Sequence, residues 1–221
     1  MTPRETEAFN RRESSYCRNC GSSLRSRALA EAIMKNYPES KSKYFIDWVD
    51  WAKERKLAIA EINYCGHLHK YLAEIPRIKV SQYHENTWRA RLANLVKGIR
   101  SEDITHLSYK SNSFDLVLHS EVLEHVYDVG KALAECRRIL KPNGVCLFTT
   151  PLIMERKTKQ KAKIDEKTKK VKHLGVPSYH GSGEKDNLVF WEFGGDFIIK
   201  NRLTVALAYP RDYVWVLKLK K

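Results

Sequence analysis

The feature that most restricts this chain is a set of short, nearly continuous apolar runs separated by stretches of helical spacing. Residues 57–62 (LAIAEI), 114–119 (FDLVLH) and 145–149 (VCLFT) are too short for helices and apolar at consecutive positions. A strand reads this way only when both of its faces are covered, which is the condition of a parallel sheet with helices on both sides. Residues 78–83 (IKVSQY) supply a further strand, and residues 67–75, 88–98 and 129–140 carry helical apolar spacing. The last of these helices is stopped by Lys141-Pro142-Asn143-Gly144, a strong turn signal. Strand and helix in this rhythm predict βαβ units wound into an α/β, doubly wound, mostly parallel sheet. Residues 188–193 (LVFWEF), 203–209 and 213–219 read as strands, the last two as an antiparallel pair at the C-terminal edge.

Ahead of the first strand, residues 23–37 and 44–55 repeat helical patterns. They predict an N-terminal segment and helical collar over residues 1–55, with the sheet domain at 56–221 and a basic insertion at about 155–187. With 221 residues, 43% of them hydrophobic, one substantial core fits better than two. Trp48 and Trp51 are most simply packing between collar and core. The opening residues mix charges of both signs without an apolar run, and nowhere do roughly 18 consecutive apolar residues occur. The expectation is a soluble, cytoplasmic protein without a membrane span.

Cys65, Cys136 and Cys146 fall inside apolar or helical patterns and read as reduced core thiols. Cys17 and Cys20, in Cys-x-x-Cys-Gly, are half of a zinc knuckle. A structural zinc requires four ligands, and no second such pair exists, so two incidental thiols in a turn are the simpler reading. The formal net charge of +14 favours an anionic partner: a nucleotide, a phosphorylated sugar, RNA or a membrane surface. Residues 156–172 hold nine Lys or Arg against two acids, which a solvated loop explains most simply.

In an open α/β sheet, ligands bind beyond the carboxyl ends of the strands where strand order reverses. That directs attention to Glu61, Asn63 and Gly66 after the first strand, Gln82 and Glu85 after the second, Asp103 and Ile104 before the fourth, and His119, Ser120 and Glu121 at its end. Residues 103–126 (DITHLSYKSNSFDLVLHSEVLEHV), followed by RRILKPNGVCLFTTP, closely resemble the middle of class I S-adenosylmethionine-dependent methyltransferases of the small-molecule type. Tyr179-His180-Gly181, the Phe193-Gly194-x-Asp196 element and the N-terminal Cys-x-x-Cys-Gly resemble one bacterial subgroup of that family. The resemblance implies a Rossmann-like sheet and S-adenosyl-L-methionine as cofactor. It places Glu61, Asn63 and Gly66 around the methionine part, Gln82 at the ribose, Asp103 and Ile104 at the adenine, and His119, Ser120 and Glu121 near the methyl group. Two departures stand out: the loop EINYCGH keeps one glycine of the family's usual three, and Gln82 replaces a ribose-binding acid, with Glu85 as a possible substitute.

Transfer of a methyl group from a sulfonium is an in-line displacement that rests mainly on alignment and exclusion of water. A general base helps an oxygen or nitrogen acceptor; His180 and His119 are the candidates by type, whereas His125 reads as structural. Arg25 and Arg27 face either an anion or water. The implied substrate is a small anionic molecule, such as a sugar or nucleotide-sugar. RNA methylation is the alternative raised by the charge, although the basic residues are not interleaved with aromatics for base stacking. A non-catalytic binding module is raised by the reduced glycine loop.

Overall fold

The computed structural model describes residues 2–83, 99–165, 167–168, 170–180 and 187–221, apart from the side chains of Arg4 and His180. The helix expected at 88–98, Glu85 and Gly181 lie outside the described residues. The first five strands are β1 (Ile59–Ile62), β2 (Ile78–Gln82), β3 (Arg100–Ser101), β4 (Phe114–Ser120) and β5 (Leu140–Thr149). Short strands follow: β6 (Leu152–Ile153), β7 (Lys159–Gln160), β8 (Ala162–Ile164), β9 (Val171–His173), β10 (Tyr179–His180), β11 (Asn187–Leu188) and β12 (Trp191–Gly194). β13 (Thr204–Tyr209) and β14 (Val214–Lys220) end the chain.

The main sheet runs β13-β14-β5-β4-β1-β2-β3. All neighbours from β5 to β3 are parallel, while β14 is antiparallel to both β5 and β13. This is the Rossmann-like, mostly parallel sheet with an antiparallel C-terminal edge that the apolar runs predict. The helices are α1 (Pro3–Ser14), α2 (Leu24–Asn36), α3 (Phe45–Glu54), α4 (His69–Leu72), α5 (Val129–Ile139) and α6 (Asp196–Lys200).

Successive residues of a strand point to opposite faces, and here both faces are buried. Ile59, Leu116, Leu118 and Leu147 pack with Ala28, Leu29 and Ile33 of α2 and with Trp48 and Val49 of α3. Ala60, Val117, Cys146 and Phe148 pack with Leu133, Cys136 and Ile139 of α5. The helices expected as a collar are therefore one whole covering layer of a three-layer sandwich, and Trp48 is fully buried in it.

Three segments differ from the sequence reading. α1 has no apolar run to reveal it, yet Thr2 and Glu5 form a reciprocal capping box with Pro3 at the first helical position. The turn signal at Lys141–Gly144 does not interrupt β5; it is absorbed as an irregularity, since Phe114 pairs with Leu140 but Leu116 with Val145, and Asn143 takes φ 65°. The basic stretch is not a bare loop: β8 and β9 form a hairpin, and β7 pairs with β12.

Candidate active site

β1 lies between β2 and β4, so the chain departs from the sheet centre in opposite directions and a crevice opens beyond the ends of β1 and β4. A cavity of about 1230 Å³ occupies that position. Ile62, Asn63 and Tyr83 border it from β1 and β2, Glu102, Asp103 and Ile104 from the segment before β4, and Glu121 and His125 from the segment after it. The opposite wall comes from the basic insertion and the following strands, with Lys163, Ile164 and Val171 of the hairpin beside Phe190, Trp191 and Phe193.

Local backbone chemistry explains how these side chains are held. Asn63 adopts φ 57°, a left-handed conformation that asparagine tolerates better than most residues, and its Oδ1 accepts a bond from the Tyr83 amide at 3.2 Å. Gly66 adopts φ 59°, and a Cβ there would stand 2.8 Å from the Ser26 hydroxyl. The short loop thus obtains two left-handed positions with one glycine. Asp103 Oδ1 accepts from both the amide and the hydroxyl of Thr105, each at 2.8 Å, which fixes the turn that carries Ile104.

Glu121 is the most constrained cavity residue. Its backbone sits at φ 55°, and its carboxylate takes a two-pronged ion pair from Arg12 at 2.6 and 2.5 Å and a bond from Thr149 at 2.9 Å. Burial alone would raise this carboxyl, but the guanidinium groups of Arg12 and Arg25 hold it down to about 2. Arg12 is itself 1% exposed, so α1 delivers a buried charge to the cavity rim. Arg25 also bonds the hydroxyl of Ser120 and the carboxylate of Glu13, whereas Arg27 is exposed.

Of the residues singled out from sequence, Asn63, Asp103, Ile104 and Glu121 come together on the cavity. Glu61, Gly66, Gln82, His119 and Ser120 do not line it. Glu61 is fully buried, its carboxyl pushed up by burial while it accepts from the Cys65 amide at 2.8 Å and meets His69 Nδ1 at 2.7 Å, so it braces the loop. Gln82 ends β2, one residue before Tyr83. His119 is fully buried with its ring stacked 4.5 Å from Phe148, on the α5 side of the sheet. His180 belongs to β10, and its side chain lies outside the described part. Among the described residues, no third ligand group joins Cys17 and Cys20.

His125, read from sequence as structural, lines the cavity. Its Nδ1 lies 2.9 Å from the Leu188 carbonyl, which can only accept, so Nδ1 carries the hydrogen and Nε2 the lone pair. Burial lowers its pKa below the usual value. Next to it, Glu124 is fully enclosed, and burial together with the charge of Glu121 raises it to about 8.

Residues 48–148 match the family model described as a methyltransferase domain. That stretch, a little under half of the chain, is similar to a methyltransferase domain. A ubiquinone biosynthesis O-methyltransferase from Rhodopseudomonas palustris is 51% identical over 37 residues, covering 17% of this chain and 15% of that protein. A protein of the same name from Chelativorans sp. is 35% identical over 65 residues, covering 28% and 26%. The chain thus spans only about a quarter or less of the curated relatives it matches. A solved S-adenosylmethionine dependent methyltransferase from Mesorhizobium loti shares 18% identity, with a TM-score of 0.44 over 78% of this chain and 98% of that one. Among the described residues, no helix is long and apolar enough to cross a membrane.

Proposed function

We propose that this protein is an S-adenosylmethionine-dependent methyltransferase acting on a small anionic acceptor. The observation that carries the reading is the convergence of Asn63, Asp103, Ile104 and Glu121 on one cavity at the sheet's switch point. Its volume exceeds the roughly 300 to 1,000 Å³ of an ordinary small-ligand site, which suits a nucleoside donor beside an acceptor. The donor set fits such a cofactor: a carboxylate at Asp103 to accept from an exocyclic amine, an apolar Ile104 for the ring, and a left-handed backbone at Asn63.

When bound, S-adenosylmethionine supplies an electrophilic methyl group on a sulfonium. The chain's own part is alignment, with Phe190, Trp191 and Phe193 excluding water from the acceptor side and Lys163, beside the Asp196-paired Lys200, providing positive charge for an anionic group. A sugar or nucleotide-sugar acceptor suits that combination of aromatic wall and cations. His125, rather than the buried His119, is positioned as the base that takes the acceptor's proton, because its Nδ1 is committed to the Leu188 carbonyl and its lowered pKa keeps it neutral near pH 7.

Titration calorimetry with S-adenosylmethionine and its demethylated product tests the reading. Binding of both near one equivalent supports it, and no binding to either would favour the non-catalytic module. RNA methylation stands as the second reading because the β8–β9 hairpin is lysine-rich; affinity for RNA that falls steeply with salt would favour it.

A further inference from the structure

Away from the cavity, on the α5 side of the sheet, three potential metal ligands meet in the dry core. His119 of β4, Cys136 of α5 and Cys146 of β5 present one ligand atom each within 4.8 Å of one another, and all three residues are fully buried. The sheet register explains the meeting. Cys146 pairs with Val117, so His119 is its diagonal neighbour on the same face, and Cys136 descends on the pair from the helix above. Because the ligands come from three elements, no spacing motif announces them.

A second, independent observation points to a ligand. His119 is 0% exposed, and among the described residues neither ring nitrogen meets an oxygen or nitrogen partner; what faces the ring is the Cys136 thiol. A buried imidazole must hold a proton on at least one nitrogen and a lone pair on the other, and a thiol neighbour satisfies these less well than an oxygen partner or a metal ion would. Two thiols and an imidazole are the ligands that soft ions select.

We propose that His119, Cys136 and Cys146 bind one Cu+ ion, a soft ion satisfied by three ligands where a structural zinc needs a fourth, and that the ion fastens α5 to the sheet. Uptake of Cu+ by one thiolate and one thiol releases one proton and leaves a site of zero net charge, which suits an apolar interior. The ion would enter before the core closes, so it acts as a folding element. The first turn of α5, Val129 and Gly130, lines the cavity, so the metal would stiffen one wall of the site.

The test uses the full chain with Cys17→Ser and Cys20→Ser, which removes the competing thiol pair. It is refolded under reducing, anaerobic conditions with Zn2+ in one arm and Cu+ in the other, then desalted and assayed for metal per chain. One equivalent in the Cu+ arm is the expected result, with an ultraviolet thiolate-to-copper charge-transfer absorption; an equivalent retained in the Zn2+ arm alone overturns the assignment. Adding Cys136→Ala and Cys146→Ala should abolish retention. Less than a tenth of an equivalent in the Cu+ arm overturns the proposal, and so does Cu+ retained by a folded C136A/C146A variant. The readout on the Cys17/Cys20 background stands by itself should the latter variant fail to fold.

Discussion

Replacing Glu124 with glutamine should change the pH dependence of stability in a calculable way. Glu124 is 1% exposed and carries its proton up to about pH 8, because burial and then the charge of Glu121 disfavour its ionised form. In the unfolded chain it ionises near the ordinary value of 4.5. The folded state therefore binds more protons than the unfolded state between these limits. Stability contributed by this group is complete below 4.5 and declines as pH rises toward 8. At 1.36 kcal/mol per unit, the 2.5 units between 4.5 and pH 7 correspond to about 3 kcal/mol lost at neutral pH. Glutamine has the same shape, cannot ionise, and can still accept the bond that Thr150 Oγ1 donates to Glu124 Oε2 at 3.0 Å. Urea denaturation of both proteins at unit steps from pH 5 to pH 8 measures the difference directly. It should shift in favour of Glu124→Gln by about 3 to 4 kcal/mol over that range. Parallel stability curves would refute the reasoning, because they would mean that Glu124 is either solvated or already ionised in the native state.

The remaining predictions concern the cavity and its supports. Arg12→Met leaves the Glu121 carboxylate with Arg25 as its remaining guanidinium partner and should lower stability at pH 7 by on the order of 3 kcal/mol; the R12M/E121Q double variant should recover most of this in urea melts. Asp103→Asn keeps an oxygen for Thr105 but turns the other carboxylate oxygen into a donor, so calorimetry should show at least tenfold weaker binding of the demethylated cofactor with an unchanged melting temperature. With His125 as base, kcat should rise with pH only below about 6.5 and be flat above it, since burial lowers that group, and His125→Asn should remove the limb and cost roughly 10² to 10⁴ in rate. Gly194→Ala should be strongly destabilising in thermal melts, because its Cβ would overlap the Arg156 carbonyl where β12 is held close.

How far the fold was legible depended on whether a segment's pattern was set by its own geometry. Residues 116–118 and 145–148 are apolar at every step, and 59–62 at every step but Glu61, because helices cover both faces, and they were recognisable for that reason. α1 was missed because its stabilisation is polar, although Thr2-Pro3-Arg4-Glu5 spelled its cap. The basic hairpin was missed because β8 and β9 derive their order from pairing with each other and from the Lys161 and Ala162 amides that donate to the Phe190 carbonyl, not from an apolar run in the sequence. In the site, Asn63, Asp103, Ile104 and Glu121 were legible because strand ends and turns have local signatures. The orientations of Glu61 and His119 were not, since which side of a strand faces the rim depends on register across the sheet.

The same distinction explains why His125 and not His119 reaches the cavity. His119 lies within β4, where alternation sends its side chain to the α5 face, and no loop rearrangement could bring it to the rim without slipping the strand by one residue. His125 closes the short 3-10 turn Leu123–His125 that follows, beyond the end of the sheet, where direction is set by hydrogen bonds instead of by the pleat. Those bonds are specific: the Phe190 amide donates to the Glu124 carbonyl at 2.7 Å, and the Leu188 carbonyl accepts from His125 Nδ1. The segment carrying the acceptor-side wall therefore orients the candidate base. On the proposed function, a change in residues 187–190 that breaks these two bonds should alter the rate and its pH dependence more than the affinity for the cofactor, whose proposed contacts, Asn63 and Asp103, lie elsewhere on the cavity.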